Sequence, residues 1–86
     1  MPEICRFFGI VIKMFFDDHN PPHFHAEYGG EEAIIDIATL AVIAGSLPAR
    51  ALGLVMEWAV QHRDELLSLW NDARLQNPLH KIDPLK

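Results

Sequence analysis

Apolar and polar positions alternate along the first half of the chain and recur every three to four residues along the second. That change of period separates a sheet from a helical part. Ile4-Cys5-Arg6-Phe7 and Ile10-Val11-Ile12-Lys13-Met14-Phe15-Phe16 are rich in β-branched and aromatic side chains, with Gly9 between them, and predict a first hairpin over residues 3–16. The loop Asp17–Pro22 follows, where two prolines remove backbone donors and rule out a continuing central strand. His23–Tyr28 and Glu31–Ile37 are two further strands joined by Gly29-Gly30, a pair suited to a two-residue turn of positive φ. A short fifth strand over Leu40–Ala44 ends at Gly45.

Leu47-Pro48 is a helix start, with proline expected at the first helical position. Leu52, Val55, Met56 and Ala59 form one apolar stripe, and Leu66, Leu69, Trp70 and Ala73 resume it. The polar run Gln61–Glu65 between them predicts two helices, or one kinked helix, ended by Asn77-Pro78. The expected architecture is α+β: an antiparallel sheet of four or five strands, then helices packed on one face. It reads as one domain over 1–86, with sheet 3–44, helical part 48–76 and extended tail 77–86.

The alternation has a chemical consequence. His23, His25 and Glu27 share one strand face, and Phe24, Ala26 and Tyr28 the other. A two-residue turn at Gly29-Gly30 sets Tyr28 opposite Glu31, Glu27 opposite Glu32, His25 opposite Ile34 and His23 opposite Asp36. Both strands then agree that the apolar set faces the helices and the histidines face away from them. His19 lies in the adjoining loop, so three of five histidines fall within seven residues.

Three readings fit this cluster. In the structural one, His23 is held by Asp36 and locks the hairpin, while His19 caps the loop. In the second, His19, His23, His25, Glu27 and Asp36 supply donors for an open site for zinc, nickel or ferrous iron. In the third, His23 and His25 act as acid and base, with Asp36 orienting His23. Glu27 opposite Glu32 is a like-charge pair that needs a cation or proton between its members.

Composition narrows the classes. Half the residues are apolar and 22% are charged, an ordinary globular balance. The longest apolar stretches are too short to span a bilayer. The opening Met1–Arg6 lacks the features of a secretory signal, and the single cysteine allows no intrachain disulfide, so a cytoplasmic location is expected. Seven basic residues are scattered through a chain of net charge −5, which argues against direct nucleic-acid binding. Cys5 has no neighbour to activate it and reads as a small hydrophobe. Trp58 falls off the apolar stripe and is the candidate interface residue. His62 and His80 read as surface or cap residues.

The run Asp18-His19-Asn20-Pro21-Pro22-His23-Phe24-His25-Ala26, with Ala33–Ile37, Gly45-Ser46-Leu47-Pro48, the spaced Trp58, His62-Arg63, Leu66-Leu67 and Trp70, and the closing Lys81–Leu85, resembles the bacterial family called domain of unknown function 4160. The resemblance implies a small cytoplasmic protein often encoded beside a second one, of the domain of unknown function 2442 type, in arrangements predicted to be toxin–antitoxin pairs. It brings no established catalytic residues. Its first implied role is therefore a protein-interaction component of such a pair; the edge strands, Trp58 and the tail from Leu79 suit strand addition or tail docking, and an oligomer is left open. A metal-binding domain and a small hydrolase or nuclease are the alternatives.

Overall fold

A computed structural model describes residues 3–86. Its elements are β1 (Glu3–Phe7), β2 (Ile10–Lys13), β3 (His23–Tyr28), β4 (Glu31–Asp36), β5 (Val42–Gly45), α1 (Ala49–Gln61) and α2 (Arg63–Arg74). The strands form one antiparallel sheet in the order β1-β2-β3-β4-β5, a simple meander, and the two helices follow, so the fold is α+β as expected.

Two tight turns set the register. Phe8 (φ 49) with Gly9 (φ 80), and Gly29 (φ 57) with Gly30 (φ 83), form two-residue connections of positive φ, whose twist matches that of the flanking strands. Across the second turn Tyr28 faces Glu31, Glu27 faces Glu32, His25 faces Ile34 and His23 faces Asp36, the register expected from the sequence. Phe24, Ala26, Ala33 and Ile35 are fully buried on one face. Trp58 of α1 packs on that face, its ring centroid 5.5 Å from Phe7 and 5.9 Å from Phe24.

Several element boundaries depart from the expectations. β2 stops at Lys13, and Met14–Phe16 leave the ladder as a loop, with Met14 fully buried. The apolar run that suggested a long strand supplies packing contacts instead. β5 begins at Val42 rather than Leu40 because Asp36 closes a turn: its Oδ1 accepts from the amides of Ala38 (2.8 Å) and Thr39 (3.0 Å). Pro48 is the N-cap of α1, one position earlier than expected. His62 (φ −127) breaks the helical run, giving two helices. α2 ends at Arg74, before Asn77-Pro78, and Gln76 turns left-handed (φ 61).

The buried residues of α1 are Ala51, Val55, Trp58 and Ala59, so its inner stripe is rotated from the expected one and Leu52 and Met56 lie at its margin. The residues expected to be buried in α2 are buried. Trp58, the candidate interface residue, is part of the core with no exposed surface. Its Nε1 donates to the Asp83 carbonyl at 2.8 Å. The tail has no regular structure but is docked: Ile82 is buried and its amide donates to the Ile4 carbonyl at 2.8 Å. That contact covers the β1 edge, whereas all four residues of β5 are exposed. Among the described residues no helix is long and apolar enough to cross a membrane.

Candidate metal centre

His23 and His25 lie on the strand face opposite Phe24 and Ala26, as the alternation required, yet they are buried and one of them meets a helix, against the expectation that this face is open and turned away from the helices. The loop between β2 and β3 covers them. Phe15 meets the His25 ring edge-on at 4.5 Å between centroids, and Trp70 of α2 lies 5.0 Å from the His23 ring. The two imidazoles are 5.3 Å apart, centroid to centroid.

Their partner is Asp18, a residue of the covering loop. Its Oδ2 stands 3.0 Å from His23 Nε2 and 3.0 Å from His25 Nε2. The three ligand atoms lie within 4.8 Å of one another. His23 Nδ1 is 2.7 Å from the Pro21 carbonyl oxygen. His25 Nδ1 is buried without a hydrogen bond, 3.4 Å from Glu32 Oε2, within ion-pair reach but outside good bonding geometry.

Proton accounting makes this arrangement informative. A carbonyl oxygen only accepts, so the His23 proton belongs on Nδ1, donated to Pro21. A neutral His23 then turns the bare lone pair of Nε2 toward a carboxylate oxygen, which is repulsive. His25 has the same difficulty: one proton serves either Asp18 or the Glu32 side, never both. The conflict disappears if both imidazoles are doubly protonated, if one cation accepts both Nε2 lone pairs and the Asp18 oxygen, or if a protonated Asp18 donates to His23 Nε2 and accepts from His25 Nε2–H. In the second case each Nδ1–H is free to point at an oxygen, Pro21 for His23 and Glu32 for His25. A ring N–H donated to a carbonyl or carboxylate is the usual outer support of a metal-bound histidine.

The other residues singled out from the sequence lie elsewhere. Asp36 is opposite His23 in the ladder, but its carboxylate serves the turn amides of Ala38 and Thr39. Glu27 takes Lys13 as its cation, Nζ to Oε2 at 3.0 Å, and Glu32 leans toward His25, which separates the like-charge pair. His19 is exposed and outside the three-residue group. His62 and His80 bracket Glu65, at 3.2 and 3.0 Å. Cys5 is a buried free thiol, pushed above its ordinary pKa by burial.

Asp18 was missed because face alternation ranks only strand residues, and Asp18 reaches the histidines by the loop folding back. The available signal was local: Asp18 lies five residues before His23 and seven before His25, across a proline-stiffened turn. A family model described as "Domain of unknown function (DUF4160)" matches residues 9–71, a span containing all three residues. No curated protein and no solved structure matches the chain.

Proposed function

Because the chain belongs to the DUF4160 family, whose description assigns no activity, we infer its function from this site: it is a domain that binds a divalent transition-metal ion through His23 Nε2, His25 Nε2 and the Asp18 carboxylate. The observation that carries this reading is the single Asp18 oxygen at 3.0 Å from both buried imidazole nitrogens, with Pro21 already claiming the far nitrogen of His23. Ligands at about 2.0–2.2 Å from a tetrahedral ion stand roughly 3.3–3.6 Å apart, so an ion enters this site once Asp18 Oδ2, now 3.0 Å from each nitrogen, draws back by a few tenths of an ångström. Two imidazoles and one carboxylate suit zinc, nickel or ferrous iron and leave coordination positions for water. The ion's role is a clamp, fastening the covering loop to β3, because Asp18 belongs to the loop and both imidazoles to the strand.

Elemental analysis of untagged protein tests this. One equivalent of metal per chain is expected, lost in His23→Ala and His25→Ala and in Asp18→Asn. A metal-free protein that also takes up no ion on equilibrium dialysis against zinc, nickel or ferrous salts excludes the reading.

A second reading, a partner-binding role in a toxin–antitoxin-like pair, is favoured by β5. This edge strand, Val42-Ile43-Ala44-Gly45, is exposed throughout and has neither charge nor proline to block strand addition. Co-purification with a small operon-neighbour protein, abolished by Ile43→Lys, supports it; a protein that remains monomeric beside that neighbour counts against it. A reducing, cytoplasmic setting suits both readings, since Cys5 is a free thiol.

A further inference from the structure

We propose that Glu32 is the positioning residue of the metal site, holding His25 in the tautomer that turns Nε2 to the ion. This role rests on the metal-binding reading and adds to it the side chain through which affinity is set. The two histidines are supported unequally. His23 Nδ1 meets a backbone carbonyl oxygen at 2.7 Å, a partner that belongs to the main chain. His25 Nδ1 has no hydrogen bond and is sealed from water, one of two such buried side-chain atoms among the described residues. A buried nitrogen left unpaired is costly, so the group placed to serve it matters. That group is the Glu32 carboxylate, with Oε2 at 3.4 Å.

Two features of Glu32 fit it for this task. Its main chain is fixed: the Ser46 amide donates to its carbonyl at 3.0 Å, and Gly45 packs so closely that a Cβ there would strike the same oxygen. Rotation of the side chain alone then brings Oε2 the last few tenths of an ångström into good N–H···O range. Its carboxylate also has no competing cation. Glu27 lies directly opposite with Lys13 already paired to it, and among the described residues the His25 ring is the one basic group within ion-pair reach of Glu32. Once a cation holds Nε2, the ring proton sits on Nδ1. A carboxylate facing that N–H fixes the ring orientation and raises the basicity of the coordinating nitrogen. In the ion-free arrangement where His25 donates from Nε2 to a protonated Asp18, a bare Nδ1 faces the same carboxylate, so Glu32 disfavours that state.

The test is a zinc titration of the full untagged chain against a chromophoric chelator, for wild type, Glu32→Ala, Glu32→Gln and Glu31→Ala. Glu32→Ala is expected to weaken zinc binding by about 10–100-fold. Glu32→Gln keeps a neutral acceptor for Nδ1–H and is expected to fall between that variant and wild type. Glu31→Ala removes the same charge one residue earlier on β4 and is expected to leave the affinity within about threefold, since exposed charges are screened. Glu32 is exposed, so the metal-free melting midpoint of each variant should match wild type. Nitrogen NMR of the imidazoles in the zinc form should show His25 bound through Nε2 with its proton on Nδ1. Unchanged affinity in Glu32→Ala, a Glu32→Gln variant as weak as Glu32→Ala, an equal loss in Glu31→Ala, a lowered metal-free midpoint in Glu32→Ala or coordination through His25 Nδ1 would each overturn the proposal while zinc uptake itself stands. Wild-type protein that binds no zinc would overturn the proposal and, with it, the zinc-site reading.

Discussion

Asp18 and Asp36 offer a sharp contrast, because the sequence register points to Asp36 as the carboxylate beside His23 and the folded chain supplies Asp18. The perturbations are Asp18→Asn and Asp36→Ala, each melted in chelator and then with zinc at a hundred times the wild-type Kd. An ion that binds only the folded state at that excess stabilises it by about 2.7 kcal/mol. In a domain of 86 residues each kcal/mol moves the midpoint by about 4–8 °C, so the wild-type shift is about 10–20 °C. Asn at position 18 keeps an oxygen but loses the only anionic donor of the three; a hundredfold weaker site at the same zinc concentration retains about 0.4 kcal/mol, a shift of about 2–3 °C. Asp36→Ala instead removes an acceptor of two turn amides, at 2.8 and 3.0 Å. That costs about 1 kcal/mol with and without zinc, lowers both midpoints by about 4–8 °C and leaves the zinc shift whole. Differential scanning calorimetry on untagged protein reads all six melts. A full zinc shift in Asp18→Asn, or its loss in Asp36→Ala, refutes the assignment of the carboxylate.

The remaining predictions concern the frame around the site. Cys5 sits under the tail, its Sγ 3.7 Å from the Asp83 carbonyl oxygen, so a thiol reagent should label the native protein slowly and Ile82→Ala at least about tenfold faster; equal rates would show that the tail does not cover the thiol. Because burial raises the Cys5 pKa from its ordinary 9.0, the unfolded chain ionises first. The contribution of Cys5 is then present below pH 9.0 and lost as pH rises through the higher folded value. Denaturant titrations of wild type and Cys5→Ala should therefore diverge above that pH, and parallel curves would contradict the buried thiol. Gly45 holds φ 71, and a Cβ there would collide with the Glu32 carbonyl oxygen. Gly45→Ala should cost more than about 2 kcal/mol and speed amide exchange in β4 and β5, whereas a neutral effect would exclude this close approach.

What was legible in the sequence follows from what is local. The Gly29-Gly30 pair dictates its own turn, and a two-residue turn dictates every cross-strand partner of β3 and β4, so the face carrying His23 and His25 could be read from spacing alone. Leu66, Leu69, Trp70 and Ala73 were legible for the same reason, because a regular period names its own buried side. Burial of the histidines was not legible, because it comes from Phe15, in a segment whose sequence resembles a strand but folds as a loop, and from Trp70, far along the chain in the last helix. Trp58 was misplaced because the stripe was drawn through Leu52 and Met56, while the helix turns its indole side toward Phe7 and Phe24. Asp18 combines both difficulties, since it lies on no periodic element and its value depends on two imidazoles brought over it by the turn at Pro21-Pro22. A search for such centres in short chains therefore gains from treating a proline-stiffened loop and the strand after it as one unit, with loop carboxylates ranked beside the strand histidines they can fold back to meet.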